Sequence, residues 1–277
     1  MPTLSFVGCG KLGRSLGHLF HRHRVFVPRQ VLTRRRASAA EAVRFIGAGA
    51  AIVDPEALLP ADVFMLAVPD TALAETAERL ARSHVLDERT TVFHCSGAQS
   101  STLLAPCADQ GAHIASVHPL LSFADPAEVV RDFHCHCSIE GDAAAVSMLS
   151  VAFARIGAET LQIPTAAKLR YHAAAVIASN YLVTLTEQAL QAIEGAGLTR
   201  EQGRELLLPL MHQTLGNLDR LEPSEALTGP VARGDWELVE AQQNTLREID
   251  PRLGCLYIML AKATANLAGK KHPFKED

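Results

Sequence analysis

The sequence predicts two domains: an α/β domain with a doubly wound parallel sheet over residues 1–164, and an all-α helical domain over 165–277. Two observations carry this. Up to Ile163, short apolar runs alternate with stretches rich in Ala, Leu, Glu and Arg, and the runs are continuously apolar, as in strands buried on both faces. From Lys168 onward nothing reads as a strand and long helical segments dominate. A third observation fits the same class of sheet: Gly8, Gly10 and Gly13 stand where the first strand gives way to the first helix.

Strands are expected at Thr3–Val7, Gln30–Thr33, Ala50–Val53, Asp62–Val68, Thr90–Cys95, Ala112–Val117, Cys135–Glu140 and Thr160–Ile163. Between them, Thr71–Ser83 and Asp142–Ile156 read as helices. In the second half the helices are Ala166–Glu194, Arg200–Leu221, Trp236–Ile249 and Pro251–Leu267. Thr199 and Gln202 form a capping box for the second of these, Asp235 caps the third, and Pro209 is expected to kink the second. The tail "KKHPFKED" is expected to fray.

Composition excludes several classes of protein. With 48% hydrophobic and 20% charged residues the chain is ordinary globular material, and a net charge of -4 provides no basic face for nucleic acid. Its one basic cluster, Arg34 to Arg36, is too short for a nucleic-acid arm. The most apolar stretch, Ala173–Leu185, is too short to span a membrane and contains Ser179, Asn180 and Thr184. Six cysteines show no framework spacing, and Met1-Pro2-Thr3 leads straight into an apolar run. A cytoplasmic, reducing setting without a secretory leader is expected.

The glycines explain themselves as a phosphate cradle. Gly8 and Gly10 permit a tight turn and close approach of a pyrophosphate, and Gly13 lets helix pack on strand; Lys11 and Leu12 complete the loop. At the end of the second strand, where an NAD-binding protein carries an acid, the sequence reads "VLTRRRAS". Guanidinium groups standing in for a carboxylate predict NADP in preference to NAD, with Thr33, Arg34 and Arg35 on the 2′-phosphate. Ala67, Val68 and Pro69, with Asp70, end the fourth strand. His94, Cys95, Ser96 and Gly97 end the fifth, and His118 and Pro119 the sixth. Three consecutive strands finishing in polar or turn-forming residues mark a nicotinamide and small-molecule substrate pocket, with Ala67, Val68, Pro69 and Ser96 against the cofactor.

In "KLRYHAAAVIASNYLVTL" a single helix would put Lys168, His172 and Ser179 on one stripe, with Asn180 beside it, in otherwise apolar surroundings. A polar stripe on a buried helix is costly unless paired or used. A Lys or His there serves as proton donor beside a carbonyl oxygen. Because this helix is apolar on nearly every face, a homodimer that covers it is expected.

The stretches "FVGCGKLG", "LAVPDTAL", "HCSGA", "SVHPLLSF", "YHAAAVIASNY" and "ALTGPVARGD" resemble the 6-phosphogluconate-dehydrogenase-like superfamily, within it a bacterial branch with a Rossmann-like domain and a helical domain of unknown function. The resemblance implies a two-domain NAD(P) oxidoreductase and names no substrate. It implies a Lys or His with an Asn on the first helix of the second domain, matching Lys168, His172 and Asn180. It also implies a substrate-touching His in a His-Pro turn, matching His118 and Pro119.

Other signals are weaker. In "HCHC", His134 to Cys137, alternate side chains leave a strand on opposite faces, so no closed metal site is expected. Cys9 reads as a small loop residue and Cys95 as a thiol beside the pocket without an evident activating base. Arg233, in "GPVARGD", can face an anionic substrate or end a structural turn. The expected activity is hydride transfer between NADP and a small, anionic carbonyl/hydroxy or imine/amine compound, with His172 or Lys168 moving the proton. The alternative is an NADP-binding sensor or scaffold.

Overall fold

The computed structural model describes residues 1–274, which form two compact units that divide after Val176. The first contains β1 (Thr3–Val7), α1 (Lys11–Arg22), β2 (Val27–Leu32), α2 (Arg36–Ile46), β3 (Ala50–Ile52), β4 (Val63–Leu66) and α3 (Asp70–Ala81). It continues through β5 (Thr91–His94), α4 (Ala105–Ala108), β6 (His113–Pro119), α5 (Pro126–Val129), β7 (Cys135–Gly141), α6 (Ala143–Ala154), β8 (Ala158–Gln162) and α7 (Lys168–Ala178). The second unit is helical: α8 (Asn180–Gly195), α9 (Arg200–Leu218), α10 (Pro223–Ala226), α11 (Pro230–Arg233), α12 (Trp236–Ile249) and α13 (Pro251–Leu267).

The eight strands form one sheet in the order β3-β2-β1-β4-β5-β6-β7-β8. The first six are parallel, as the continuous apolar runs predict. β7 runs antiparallel to β6, and β8 runs parallel to β7. The sheet is mostly parallel, as expected, and only the β6–β7 pairing is antiparallel. The segment between β6 and β7 carries only a single helical turn, α5. On one face Leu16, Leu19 and Phe20 of α1 and Leu149 and Phe153 of α6 pack on Phe6, Phe93 and Val117. On the other, Leu73, Ala77 and Leu80 of α3 pack on Phe64, Leu66 and Val92.

The antiparallel ladder carries β6 through His118 and Pro119, which pair with Ser138 and Cys137. The expected His-Pro turn is therefore strand. Cys135 and Cys137 are buried on the α6 face with their sulfurs 3.7 Å apart, while the His134 and His136 rings lie side by side and His136 is exposed. These four residues do not converge. Among the described residues no three His, Cys, Asp or Glu side chains form a candidate metal cluster.

The expected single helix Ala166–Glu194 is two helices, α7 and α8, broken at Ser179 (φ -117°, ψ -69°). Ser179 therefore does not extend the Lys168–His172 stripe. Within the chain α7 is not a buried helix either: Lys168 is its one buried residue, and Leu169 and Ile177 are exposed. In the second unit the Thr199–Gln202 capping box and the Asp235 cap form as expected. α9 runs through Pro209 without ending. Of the tail expected to fray, Phe274 packs edge-on against Trp236, and residues 275–277 lie outside the described residues.

Candidate active site

The glycine loop has the shape its spacing predicts. Gly8 adopts φ +76°, a region open to glycine, and a Cβ there would stand 2.7 Å from the Ala67 carbonyl oxygen. A Cβ at Gly13 would lie 2.9 Å from that of Ala67, so glycine sets how closely α1 rides on the end of β4. At Gly10 a Cβ would meet nothing within 4 Å. The Gly8 N–H donates to the Leu32 carbonyl at 2.8 Å, which ties the loop to the end of β2. α1 begins after Gly10 with no side-chain cap and no acid in its first turn, leaving its N-terminal N–H groups and dipole uncompensated. A pyrophosphate fits this cradle in geometry and in charge. Lys11 is N-terminal in α1 and its ammonium donates to the Ala124 carbonyl at 2.7 Å; Leu12 is half-buried.

Beside the loop, Thr33 follows β2 and its hydroxyl donates to the Arg35 carbonyl at 2.8 Å. Arg34 and Arg35 are exposed, Arg35 directly preceding α2. Among the described residues neither guanidinium forms an ion pair or hydrogen bond, so both are available to an anion. Ala67, Val68 and Pro69 link β4 to α3. Ser96 is buried: its hydroxyl donates to Asp70 Oδ2 at 2.7 Å and accepts from the Gln99 N–H at 2.9 Å.

The α3 face of the sheet turns polar at the far ends of β5 and β6. His94 pairs in register with Ser116, and Ser116 with Glu140 on β7, giving one row across three strands. Lys168, the first residue of α7, covers that row at 1% exposure. Its ammonium donates to Ser116 Oγ at 2.7 Å and lies 3.7 Å from Glu140 Oε1, an ion pair without a direct hydrogen bond. Burial lowers the Lys168 pKa, against the opposing pull of Glu140. Glu140 is equally buried and fully engaged: Oε1 accepts from the Ser101 N–H (2.7 Å), and Oε2 from the hydroxyls of Ser101 (2.7 Å) and Thr165 (2.9 Å).

His94 is structural. Its Nδ1 accepts from the Ser96 N–H at 3.2 Å, so its Nε2–H faces the Ser100 carbonyl. Burial pushes its pKa down to about 4. The unfolded chain therefore takes up a proton at this ring below about pH 6.5 that the folded chain refuses until about pH 4. Stability from this ring is complete above pH 6.5 and is lost as the pH falls through that window, by about 3 kcal/mol in all. In thermal unfolding at pH 4 to 7, His94→Gln is expected to flatten the acid limb; an unchanged limb would show that His94 does not control it.

One step beyond, His118 stands between two rings of α7, edge-on to Tyr171 (centroids 5.9 Å) and to His172 (5.5 Å). Gly97 makes this possible: a Cβ there would stand 2.8 Å from His118 Nε2 and collide with His172 Nδ1. Burial, then the positive charges of His172 and Lys168, push the His118 pKa down to about 4. Thus the structure brings Lys168, His172 and His118 to one place. Asn180 is exposed at the start of α8, in the second unit. Arg233 is exposed at the end of α11. Burial raises the Cys9 thiol to about 12 and the Cys95 thiol higher still, so neither is an activated nucleophile. Sequence reasoning missed Glu140, Ser116, Ser138 and Tyr171. The signal for Glu140 was a lone acid in an apolar strand, on the face opposite Cys135 and Cys137.

Residues 3–119 match the family of Rossmann-like domains, and residues 135–264 match a domain of unknown function, DUF2520. The chain belongs to the proteins in which a Rossmann-like domain is followed by a DUF2520 domain. Among solved structures it is similar to protein TM1727 from Thermotoga maritima, with 27% identity, a TM-score of 0.76, and 96% of this chain and 98% of that one covered. It also shares the fold of the reductive aminase from Aspergillus terreus in complex with NADPH and ethyl levulinate (14% identity, TM-score 0.71, 97% and 98% covered). A third is an imine reductase variant from Myxococcus stipitatus in complex with NAD+ (14% identity, TM-score 0.68, 98% and 96% covered). No curated protein matches the sequence significantly.

Proposed function

We propose that this protein is an NADP-dependent oxidoreductase acting on a small carbonyl/hydroxy or imine/amine compound. The observation that carries the reading is the pairing of an uncapped, glycine-lined helix N-terminus with titratable groups gathered beyond the ends of β5 and β6. NADPH in the A. terreus enzyme and NAD+ in the M. stipitatus variant show that the shared fold accommodates either dinucleotide. The choice between them rests on this chain's own Thr33, Arg34 and Arg35, which offer a 2′-phosphate two unpaired guanidinium groups and no competing carboxylate.

When bound, the nicotinamide supplies or accepts the hydride. Gly8, Gly10, Lys11, Leu12 and Gly13 hold the pyrophosphate, and Ala67, Val68, Pro69 and Ser96 border the nicotinamide half. His172 exchanges the proton with the substrate. Lys168 acts from behind, because both its contacts are to buried partners. A sensor or scaffold has no need of unpaired buried nitrogens, which His118 and His172 both retain at Nδ1. The exposed Leu169, Ile177 and Val183 support a homodimer that covers this stretch. Six free cysteines and the lack of a membrane-length helix among the described residues support a cytoplasmic setting.

Gly10→Val tests the cradle. A Cβ there meets nothing within 4 Å, so the fold is expected to survive while NADPH affinity drops at least tenfold, about 1.4 kcal/mol. Unchanged affinity in a folded variant would place the phosphates elsewhere.

A further inference from the structure

Of the six buried polar atoms without a hydrogen-bond partner among the described residues of the first unit, four belong to side chains gathered around His118: His118 Nδ1, Ser138 Oγ, Tyr171 Oη and His172 Nδ1. Ser138 is opposite His118 in the β6–β7 ladder and only 2% exposed. The Tyr171 hydroxyl lies beside Ser138, whose hydroxyl and backbone both act on it, and both α7 rings flank His118. Native interiors rarely leave one such atom unpaired, and four together describe a place built to receive a polar group.

The charges around the cluster say which kind. A substrate nitrogen at the iminium level is cationic and needs a carboxylate with free lone pairs. Glu140 is buried and committed elsewhere: Ser101 and Thr165 donate to its oxygens and the Lys168 ammonium is its counter-ion. Asp70 is exposed and already accepts from Ser96. A carbonyl oxygen has the opposite need, because it gains negative charge as hydride reaches its carbon. The cluster meets that need with donors: the Ser138 and Tyr171 hydroxyls and the imidazole N–H groups. Burial raises the Tyr171 pKa, which keeps its hydroxyl protonated. The positive charge of Lys168 reaches His118, with Asp70 pulling the other way.

We propose that His118, Ser138, Tyr171 and His172 form the seat of a substrate oxygen, so that the reaction interconverts a carbonyl and an alcohol rather than an imine and an amine. This rests on the NADP-oxidoreductase reading. In the reducing direction the hydride brings two electrons to the carbonyl carbon and the C=O π pair moves to oxygen. The oxygen takes a proton from the His172 imidazolium, which becomes neutral imidazole and recovers a proton from water. Tyr171 and Ser138 hold the oxygen and transfer nothing.

The test is ring-nitrogen NMR of His118 and His172 in the full-length protein with NADPH bound, titrated with two probes of equal ring size. Cyclopentanone presents an oxygen, and pyrrolidinium presents a cationic nitrogen. Cyclopentanone is expected to shift both histidine signals and pyrrolidinium neither. Tyr171→Phe, which removes only a hydroxyl, is expected to weaken the cyclopentanone effect about five- to tenfold while leaving NADPH affinity unchanged. Shifts with pyrrolidinium, shifts with neither probe, or an unaltered Tyr171→Phe titration would overturn the oxygen seat alone. Failure of the wild-type protein to bind NADPH would remove the oxidoreductase reading and this inference with it.

Discussion

Glu140→Gln is expected to destabilise the protein by about 3–5 kcal/mol, the cost of leaving a buried charge without its counter-ion. The substitution preserves size and most hydrogen bonds but strips Lys168, itself 1% exposed, of its neighbouring carboxylate. The ammonium would keep only Ser116 as a partner. Lys168→Met in the same chain removes the orphaned charge and is expected to restore much of the loss. Chemical denaturation of the two single variants and the double variant checks this through the coupling energy. A cost below about 1 kcal/mol for Glu140→Gln would mean that Lys168 is neutral in the folded chain, and its role behind the site would need rewriting.

His172→Ala is expected to lower turnover about 10²- to 10⁴-fold once a substrate is in hand, with NADPH binding nearly untouched. The loss should appear equally in kcat and kcat/KM, because the proton moves only in the transition state. The ring is half-buried on α7 and touches His118 and Gly97, so a packing role makes a different forecast: a lowered melting temperature with an unchanged rate per folded molecule. Rate and melting temperature on the same sample separate the two. An unchanged rate would move the proton-transfer role to His118 or Lys168.

Most of the first unit was legible because parallel strands buried on both faces write continuous apolar runs, and because glycine at three fixed spacings has few other uses. The direction of β7 left no mark in its own residues. The break at Ser179 was also silent, since neither glycine nor proline stands between Ala173 and Leu185. Among the candidate site residues, Lys168 and His172 could be read from helical spacing and His118 from its place at a strand end. Glu140, Ser138 and Tyr171 could not. Their significance comes from cross-strand register and from α7 lying over the row, and single-chain periodicity carries neither.

The central claim is a dinucleotide site that reads the 2′-phosphate. Fluorescence titration of NADPH and NADH into the wild type and Arg34→Glu tests it directly. The wild type is expected to prefer NADPH, and Arg34→Glu to lose that preference or invert it, because a repelling carboxylate replaces a phosphate partner. Tenfold or stronger preference of the wild type for NADH would contradict the account.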